Sequence, residues 1–395
     1  MDVLLDKQER LLGGLRMDLS PKQFAVGYHR LANEIVGTHD LWRIFRYIFG
    51  QLQDERMGPL LDAANRVASD CYLAWLNRAR QWQLITETQF REPPLVYLEA
   101  VHSPATASRG TEVQALGFPV RRYGGHRLPI PIVLLPFDQV GLMWLLCTLH
   151  HEVGHNLDQD LELGDELTAS LENVVSVERC DVWQAWGAEV LADALGVVSG
   201  GSGFGYALAS LLFMLAPRRA TLDTSDSHPD HYLRIHLAAA MLEQMGAQEA
   251  ADAIRQAAEA LDAPAGTDGF LSDCSAVAAL FLTEPLAALG DRPLRDLNPD
   301  WTDEERQTSK LARFLQTGLG FHAPASPLAP RLVPLAAELA IVSLSNADEA
   351  AMMALNERAY DYLESLERPT FLAGADRAAF LHSLAEAIDF TEGTL

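Results

Sequence analysis

The 395-residue sequence is poor in cysteine and in positive charge. Its four cysteines lie far apart and form no Cys-x-x-Cys pair, which argues against a disulfide framework and against a cysteine-based zinc site. Lys and Arg number 30 against 54 Asp and Glu, so the formal net charge is −24. A surface this acidic repels nucleic-acid phosphates and anionic lipid headgroups. We therefore expect no nucleic-acid partner and no membrane partner.

Uninterrupted hydrophobic runs long enough to cross a bilayer are also missing. The most apolar stretch, residues 194–216, is interrupted by a Ser- and Gly-rich segment at 199–205, whereas a span needs about 20 consecutive apolar residues. We expect a buried helix that is entered through a glycine loop. The first residues mix acids with bases and have no signal-peptide pattern. These features predict a soluble, cytoplasmic protein.

Hydrophobic residues make up 49% of the chain, which is enough for a packed core. Apolar residues spaced three and four apart predict helices from 21 to about 89 and again beyond about 262. Two short strands are predicted, at 95–98 and at 129–137, and the prolines at the margins of the second mark it as an edge strand. The sequence therefore predicts a mainly α fold with a small β-sheet (α+β), in which helical regions at 1–91 and 262–395 flank a core at 92–261.

The clearest chemical signal is the segment HEVGH at residues 151–155. Residues four apart lie on the same face of a helix, so His151 and His155 can direct two imidazoles at one metal ion. Glu152 lies beside them, where it can take a proton from a water molecule that the metal activates. Because five residues of this pattern also arise by chance, the prediction of a metal site depends on a third ligand.

A catalytic zinc takes three protein ligands and keeps one position open. The metzincin pattern does not supply the third, because it would need glycine at 158 and a ligand at 161, where this chain has Asp158 and Leu161. The helix predicted at 182–198 offers Glu189 instead. Asp193, one turn later, can accept the N–H of a ligand histidine and so fix its tautomer. A helix with two exposed acids is the competing interpretation.

This order of motifs resembles the gluzincin metallopeptidases, whose pattern is HExxH followed by ExxxD on a second helix. A later His-Pro pair at His228, with Arg234 six residues after the histidine, looks like the branch of the CAAX prenyl proteases and HtpX proteins. It is also similar to the Lit-type phage-exclusion peptidases. The resemblance covers roughly residues 129–245 and implies a zincin-like catalytic core with Zn²⁺ as its cofactor.

Carried over position by position, the resemblance implies a role for each matching residue. The implied zinc ligands are His151, His155 and Glu189. Glu152 would be the general base, and Asp193 would support a ligand histidine from behind. His228 would stabilise the developing oxyanion, and Arg234 would order the site or assist the reaction. His231 remains an alternative to His228 as the oxyanion stabiliser.

The sequence thus predicts a soluble zinc metallopeptidase that hydrolyses peptide bonds by means of a Glu-activated water on zinc. A protein or peptide substrate is expected to pair with the edge strand near 132–135. Two alternatives stay open: a non-peptide zinc amidohydrolase, and an inactive or trigger-dependent metallopeptidase-like binding or scaffold protein, for which the helical flanks leave room for a regulatory partner. The acidic segment between His155 and Glu189 is predicted to be a solvated loop, with a lid or a partner surface as alternatives.

Overall fold

A computed structural model describes residues 20–86, 91–112, 127–215, 220–318, 328–344 and 348–366. Of the residues that the structure describes, 69% are helical and only small sheets are present, so the predicted mainly α fold with little β-structure is confirmed. The α-helices are α1 Pro21–Leu52, α2 Met57–Gln81, α3 Leu149–Leu161, α4 Gly164–Ser170, α5 Val177–Ala185, α6 Gly187–Leu215, α7 His231–Gln244, α8 Gln248–Ala258, α9 Asp268–Thr283, α10 Trp301–Thr317, α11 Leu332–Val342 and α12 Glu349–Ser365. The strands are β1 Leu95–Glu99, β2 Ala105–Ala107, β3 Ile132–Pro136, β4 Pro285–Leu286 and β5 Arg292–Pro293.

The larger sheet has the order β1-β3-β2. Strand β3 pairs in parallel with β1 and antiparallel with β2, so both of its edges are hydrogen-bonded. The prediction that residues 132–135 form an edge strand open to a substrate is therefore wrong. The flanking prolines do not prevent this placement, because Pro131 precedes the strand and Pro136 is its last residue. Strand β2 is the edge of the sheet on that side.

With Asp138 as a cap, the sequence predicts a helix from near Val140 past His155, but the α-helix begins later than expected. Residues Met143–Thr148 form a 3₁₀ helix, and α3 starts at Leu149. The side chain of Asn356 on α12 fixes the beginning of the 3₁₀ helix. Its Oδ1 accepts from the backbone N–H of Met143 at 2.8 Å, and its Nδ2 donates to the carbonyl of Gly141 at 2.9 Å. A tighter turn leading into an α-helix is common where the first N–H groups are satisfied from outside.

The glycine-rich segment at 199–205 is helical, so the predicted glycine loop is wrong. Helix α6 runs through it with a single non-helical residue, Gly201, at φ 56° and ψ −141°. A Cβ at Gly201 would overlap Oε2 of Glu305, and a Cβ at Gly203 would lie 2.7 Å from Cβ of Leu335. These glycines therefore permit one kink and close packing of helices around α6.

Helix α6 is the centre of the core. Among the described residues it is the one helix long and apolar enough to cross a membrane, and 72% of its most apolar window is buried inside the protein. It packs against α3, α7 and α11. One apolar cluster extends from Leu61 to Leu366 and joins residues of all three predicted regions. The boundaries at 91 and 261 and the soluble, cytoplasmic location remain predictions.

Candidate metal centre

Helices α3 and α6 form the site because a glycine lets them approach closely. A Cβ added at Gly154 would lie 3.0 Å from Cα of Ala192, so the backbone of α6 fills the space that the missing side chain leaves. His151 and His155 stand one turn apart on α3. Glu189 lies in the first turn of α6 and faces them. Two helices therefore bring together side chains that are more than 30 residues apart in the sequence.

The donor atoms of these three side chains converge on one point. Nε2 of His155 is 3.2 Å from Nε2 of His151. The Glu189 carboxylate places Oε2 3.3 Å from Nε2 of His151 and Oε1 3.4 Å from Nε2 of His155. The three residues form a group whose ligand atoms all lie within 4.8 Å of one another.

The spacing and chemistry of this group fit a metal ion. A tetrahedral centre with bonds of about 2.0–2.1 Å separates its donor atoms by about 3.3–3.4 Å, which matches the observed distances. Oε2 of Glu189 is buried and has no hydrogen-bond partner among the described residues, and such an atom is costly unless a cation or a donor satisfies it. The cluster can therefore bind a metal ion through His151, His155 and Glu189.

A buried pair of charged side chains fixes the orientation of His151. Nδ1 of His151 lies 2.8 Å from Oδ1 of Asp193. Arg234, on α7, holds the same carboxylate with a two-pronged contact, in which Nε donates to Oδ2 at 2.9 Å and Nη2 donates to Oδ1 at 2.7 Å. Asp193 is 1% exposed and Arg234 is 8% exposed. When Nδ1 of His151 donates to Asp193, its Nε2 keeps the lone pair that a metal requires.

The two acids of the site, Glu189 and Asp193, have lowered pKa values. Burial raises the pKa of Glu189, but the close contact with His151, 3.3 Å away, outweighs burial, with help from the charges of His155 and Arg234, and brings that pKa to about 2. Burial likewise opposes ionisation of Asp193, yet the charges of Arg234 and His151 keep its pKa below the ordinary value. Both acids are thus held as carboxylates, which is the form that binds a cation.

The pKa values of the two histidines shift in opposite directions. Burial lowers the pKa of His151, but Asp193 and Glu189 reverse this effect and raise it to about 10. Burial lowers the pKa of His155 to about 4, and the charge of His151 adds to that decrease. The acids behind His151 therefore make this part of the site strongly attractive to positive charge.

Glu152 is the third acid of the site and behaves differently. It is 7% exposed, it lines the cleft, and burial raises its pKa to about 7, with the charge of His151 acting in the opposite direction. A carboxyl group that gains and loses a proton near neutral pH is suited to general acid–base work. The role of Glu152 as general base remains a prediction.

His228 and His231 both line the cleft. The side chain of His228 is 53% exposed, and its Nε2 lies 3.3 Å from Oε1 of Glu189. It precedes Asp230, whose carboxylate caps α7 by accepting from the backbone N–H of Tyr232 at 2.9 Å. Because His231 begins that helix and lines the same cleft, the choice between the two histidines stays open.

The cleft at the metal centre has a volume of about 270 Å³ and one strongly apolar wall. This wall is the end of α6, and its residues are Phe204, Ala207, Leu208, Leu211, Leu212 and Leu215. Ser103 and Pro104, just before β2, also line the cleft. Sequence reasoning predicted the helix at 206–215 but not its position beside the metal centre, and it missed Ser103 and Pro104, which belong to no recognisable motif.

The acidic segment after His155 is folded, so the predicted solvated loop is wrong. It contains α4 and α5, and its acids make internal contacts. Oδ1 of Asp158 accepts from the backbone N–H of Gly164 at 2.7 Å. Asp160 contacts the hydroxyl of Tyr72 and lies 3.6 Å from Nε of Arg109. These carboxylates hold neighbouring segments in place.

His150 is part of the protein interior. It is 2% exposed, its Nδ1 lies 2.6 Å from the hydroxyl of Ser199, and its Nε2 lies 3.1 Å from the carbonyl of Arg331. Cys147 is also buried. Neither residue belongs to the His151–His155–Glu189 group.

Fold and site together define a mostly helical protein with a candidate His-His-Glu metal centre beside an apolar cleft. Comparisons with protein-family models, with curated proteins and with solved structures find no match. Any assignment of function therefore depends on the geometry and chemistry of the site.

Proposed function

We propose that this protein is a zinc-dependent metallopeptidase of the gluzincin type. The observation that carries the proposal is the convergence of His151, His155 and Glu189 on one point, with Glu152 beside them on α3. The order HExxH and then ExxxD, which resembles the gluzincins, adds to it. The resemblance of the segment from His228 to Arg234 is consistent with the way that both side chains approach Glu189.

This donor set suits zinc. Two imidazoles and one carboxylate form a ligand set of catalytic zinc sites, whereas Ca²⁺ and Mg²⁺ prefer oxygen atoms alone. When bound, zinc supplies a Lewis acid that polarises a carbonyl group and activates water. Asp193 and Arg234 keep His151 aligned for this task.

Side chains of the protein carry out the steps that zinc does not, namely proton transfer and stabilisation of the oxyanion. Glu152, with its pKa of about 7, accepts the proton of the attacking water and then delivers it to the leaving nitrogen. His228 is more than half exposed at the cleft, where an N–H donor can stabilise the negative oxygen that forms during attack. Arg234 is 8% exposed and bonded to Asp193, so we assign it a positioning role.

Two features beside the cleft support a peptide substrate: a strand edge and an apolar wall. Strand β2 is the sheet edge next to the cleft and pairs only with β3 among the described residues. An extended peptide can add to such an edge through main-chain hydrogen bonds. The apolar wall on α6 then receives a large aliphatic or aromatic side chain of the substrate. This arrangement replaces the pairing with β3 that the sequence predicted.

The decisive experiment compares Glu152→Gln with Glu172→Gln, a matched control at an exposed position. Hydrolysis is followed with a library of fluorescence-quenched peptides, and metal content is measured by mass spectrometry on the same samples. We expect Glu152→Gln to keep about one zinc per chain and to lose hydrolysis by about 10²–10⁴-fold, while the control matches the wild type. Full turnover in Glu152→Gln would show that the proposed mechanism is wrong.

Other results of the same experiment identify the alternatives. Zinc binding with hydrolysis of small amides, but of no peptide, indicates a non-peptide amidohydrolase. Zinc binding without any hydrolysis indicates a binding or scaffold protein, or a peptidase that needs a trigger. Absence of zinc from the purified wild-type protein contradicts the proposal altogether.

A further inference from the structure

A second cleft lies where the end of α2, the end of α7 and the β4–β5 hairpin meet. Its volume is about 510 Å³, within the usual range for small-molecule sites. It shares no lining residue with the cleft at the metal centre. Its walls carry three arginines and two tryptophans, which are Arg78, Arg292, Arg295, Trp82 and Trp301. We call it the arginine cleft.

The charge of the arginine cleft is opposite to that of the whole protein. The chain carries a net charge of −24, yet the residues that line this cleft include three arginines and a single acid, Asp296. A concave surface of one charge concentrates ions of the other charge, because its low-dielectric walls focus the electric field. The arginine cleft is therefore suited to an anion.

Arg292 is held in place without an acidic partner. Its guanidinium carbon lies 4.8 Å from the centre of the Trp82 ring. Its Nη1 donates to the carbonyls of Leu289 at 3.3 Å and of Gly290 at 3.4 Å. No carboxylate lies within 4 Å of Arg292 in the part of the chain that the structure describes, and its Nε and Nη2 have no hydrogen-bond partner there. This edge of a fixed guanidinium can bind an oxyanion with two parallel hydrogen bonds.

The other two arginines have only weak ion pairs. Nη2 of Arg78 lies 3.7 Å from Asp300, which is 75% exposed. Nε of Arg295 lies 4.0 Å from Asp296, and both side chains are 50% exposed. Exposed pairs at such distances contribute little to stability. An incoming anion can therefore replace these contacts at small cost.

We propose that the arginine cleft binds a small phosphate ester that carries a flat ring, with the chemistry of a nucleoside monophosphate. The guanidinium groups bind the phosphate oxygens, since the planar fork of arginine matches their geometry. Trp301 and Trp82 both line the cleft, so their indole rings can contact the flat ring of the ligand. This inference does not depend on the metal centre or on peptidase activity.

Isothermal titration of the full chain at low salt tests the proposal with three probes. They are adenosine monophosphate, inorganic phosphate and adenosine. We expect the monophosphate to bind at least tenfold more tightly than either of the other two, because it alone uses both the arginines and the rings. If the monophosphate does not bind, or binds no better than phosphate, the proposal is overturned. The same holds if only an acidic peptide binds.

Two variants of the cleft and one control variant locate the binding. Arg295→Glu changes a half-exposed residue and should fold normally, and we expect it to weaken binding of the monophosphate at least tenfold. Arg313→Glu, an exposed position on α10 outside the cleft, is the control and should stay within twofold of the wild type. Arg292→Lys keeps the charge but loses the fork, so its affinity should fall between the two. Unchanged binding in Arg295→Glu would place the ligand elsewhere and contradict the proposal.

Discussion

The two halves of helix α6, which meet at the kink of Gly201, treat carboxyl groups in opposite ways. The first half carries Glu189 and Asp193, and both are held as carboxylates with lowered pKa values. Arg234 and His151 are responsible, because each places positive charge against them. This half offers negative charge to a cation even though it lies in the interior of the protein.

The second half meets carboxyl groups whose pKa values are raised. Glu338, on α11, is 3% exposed and accepts a hydrogen bond from the hydroxyl of Ser210 at 2.9 Å. Burial raises its pKa to about 7, and this hydroxyl opposes the rise only in part. Burial also raises the pKa of Glu305, which accepts from the backbone N–H of Ser202 at 3.2 Å just after the kink. No cationic partner is recorded for either acid in the described structure.

Under the proposed function, this difference assigns the chemistry to the first half of α6 and the binding of substrate to the second half. Charged partners from α3 and α7 surround the first half, and the apolar wall of the cleft belongs to the second. The kink at Gly201 marks the boundary between them. Variants on the two sides should therefore fail in different ways.

The largest effect is expected from removing the carboxylate of Glu189 in the first half of α6. Glu189→Ala deletes one of three proposed ligands, and we expect metal affinity to fall by about a thousandfold or more, roughly 4 kcal/mol. Competition with a chromophoric chelator measures the affinity. Glu172→Ala, at an exposed position, is the control and should bind metal like the wild type. Wild-type affinity in Glu189→Ala would exclude Glu189 as a ligand and erase the contrast between the halves.

The kink itself should be the next most sensitive point. Gly201→Ala places a side chain at φ 56° and ψ −141°, a conformation almost restricted to glycine, and the new Cβ overlaps Glu305. We expect the free energy of unfolding to fall by about 2–4 kcal/mol, measured by denaturant titration. Gly50→Ala is the control, because no atom lies within 4 Å of its Cβ and α1 accepts alanine well. Equal stability of the two variants would mean that the kink is not imposed by glycine.

Asp193→Asn tests whether Asp193 supports metal binding through its contact with His151, one of the proposed ligands. The amide is close in size to the carboxylate but lacks the charge that orients His151 and binds Arg234. We expect metal affinity to decrease by about 10–100-fold while the fold is kept. Asp181→Asn, at an exposed position on α5, is the matched control. An unchanged affinity would show that the hydrogen bond to His151 does not support the site.

Much of the candidate metal site, which the first half of α6 forms with α3, was predictable from the sequence for a physical reason. Helical spacing is local, so residues four apart share a face wherever the helix lies. His151 and His155, and likewise Glu189 and Asp193, follow from that rule. The histidine pair and the acid pair could be expected to pack against each other, because buried charged side chains need partners. The place of Glu152 beside these side chains was also predictable, because it follows His151 directly in the sequence.

The second half and the sheet depend on contacts that local pattern does not encode. A glycine-rich segment reads as a loop, and only the neighbours of Gly201 and Gly203 show that it is a packed helix. The central position of β3 depends on β2, a three-residue strand without alternation. For the same reason, the apolar wall could not be placed beside the metal centre.

The second half should respond to pH through Glu338. The folded state holds the proton of Glu338 more tightly than the unfolded state, so the contribution of Glu338 to stability is greatest below a pH of about 4.5 and is lost as pH rises through about 7. Glu338→Gln removes this contribution. We expect the loss of unfolding free energy between pH 5 and pH 8 to shrink by about 1–2 kcal/mol relative to the wild type. Parallel stability–pH curves for the two proteins would contradict the raised pKa.

The smallest effect should come from the wall of the cleft, and it should appear in binding alone. Leu211 is half-buried and lines the cleft, whereas Met214, on the same half, is 65% exposed and does not. If this wall holds a side chain of the peptide, Leu211→Ala should raise KM about threefold to tenfold, because about 1 kcal/mol of apolar contact is lost. The value of kcat and the affinity for zinc should stay within twofold of the wild type, and Met214→Ala should change neither constant. A fall in kcat with KM unchanged would mean that the second half takes part in the chemistry, and the division of α6 would then be wrong.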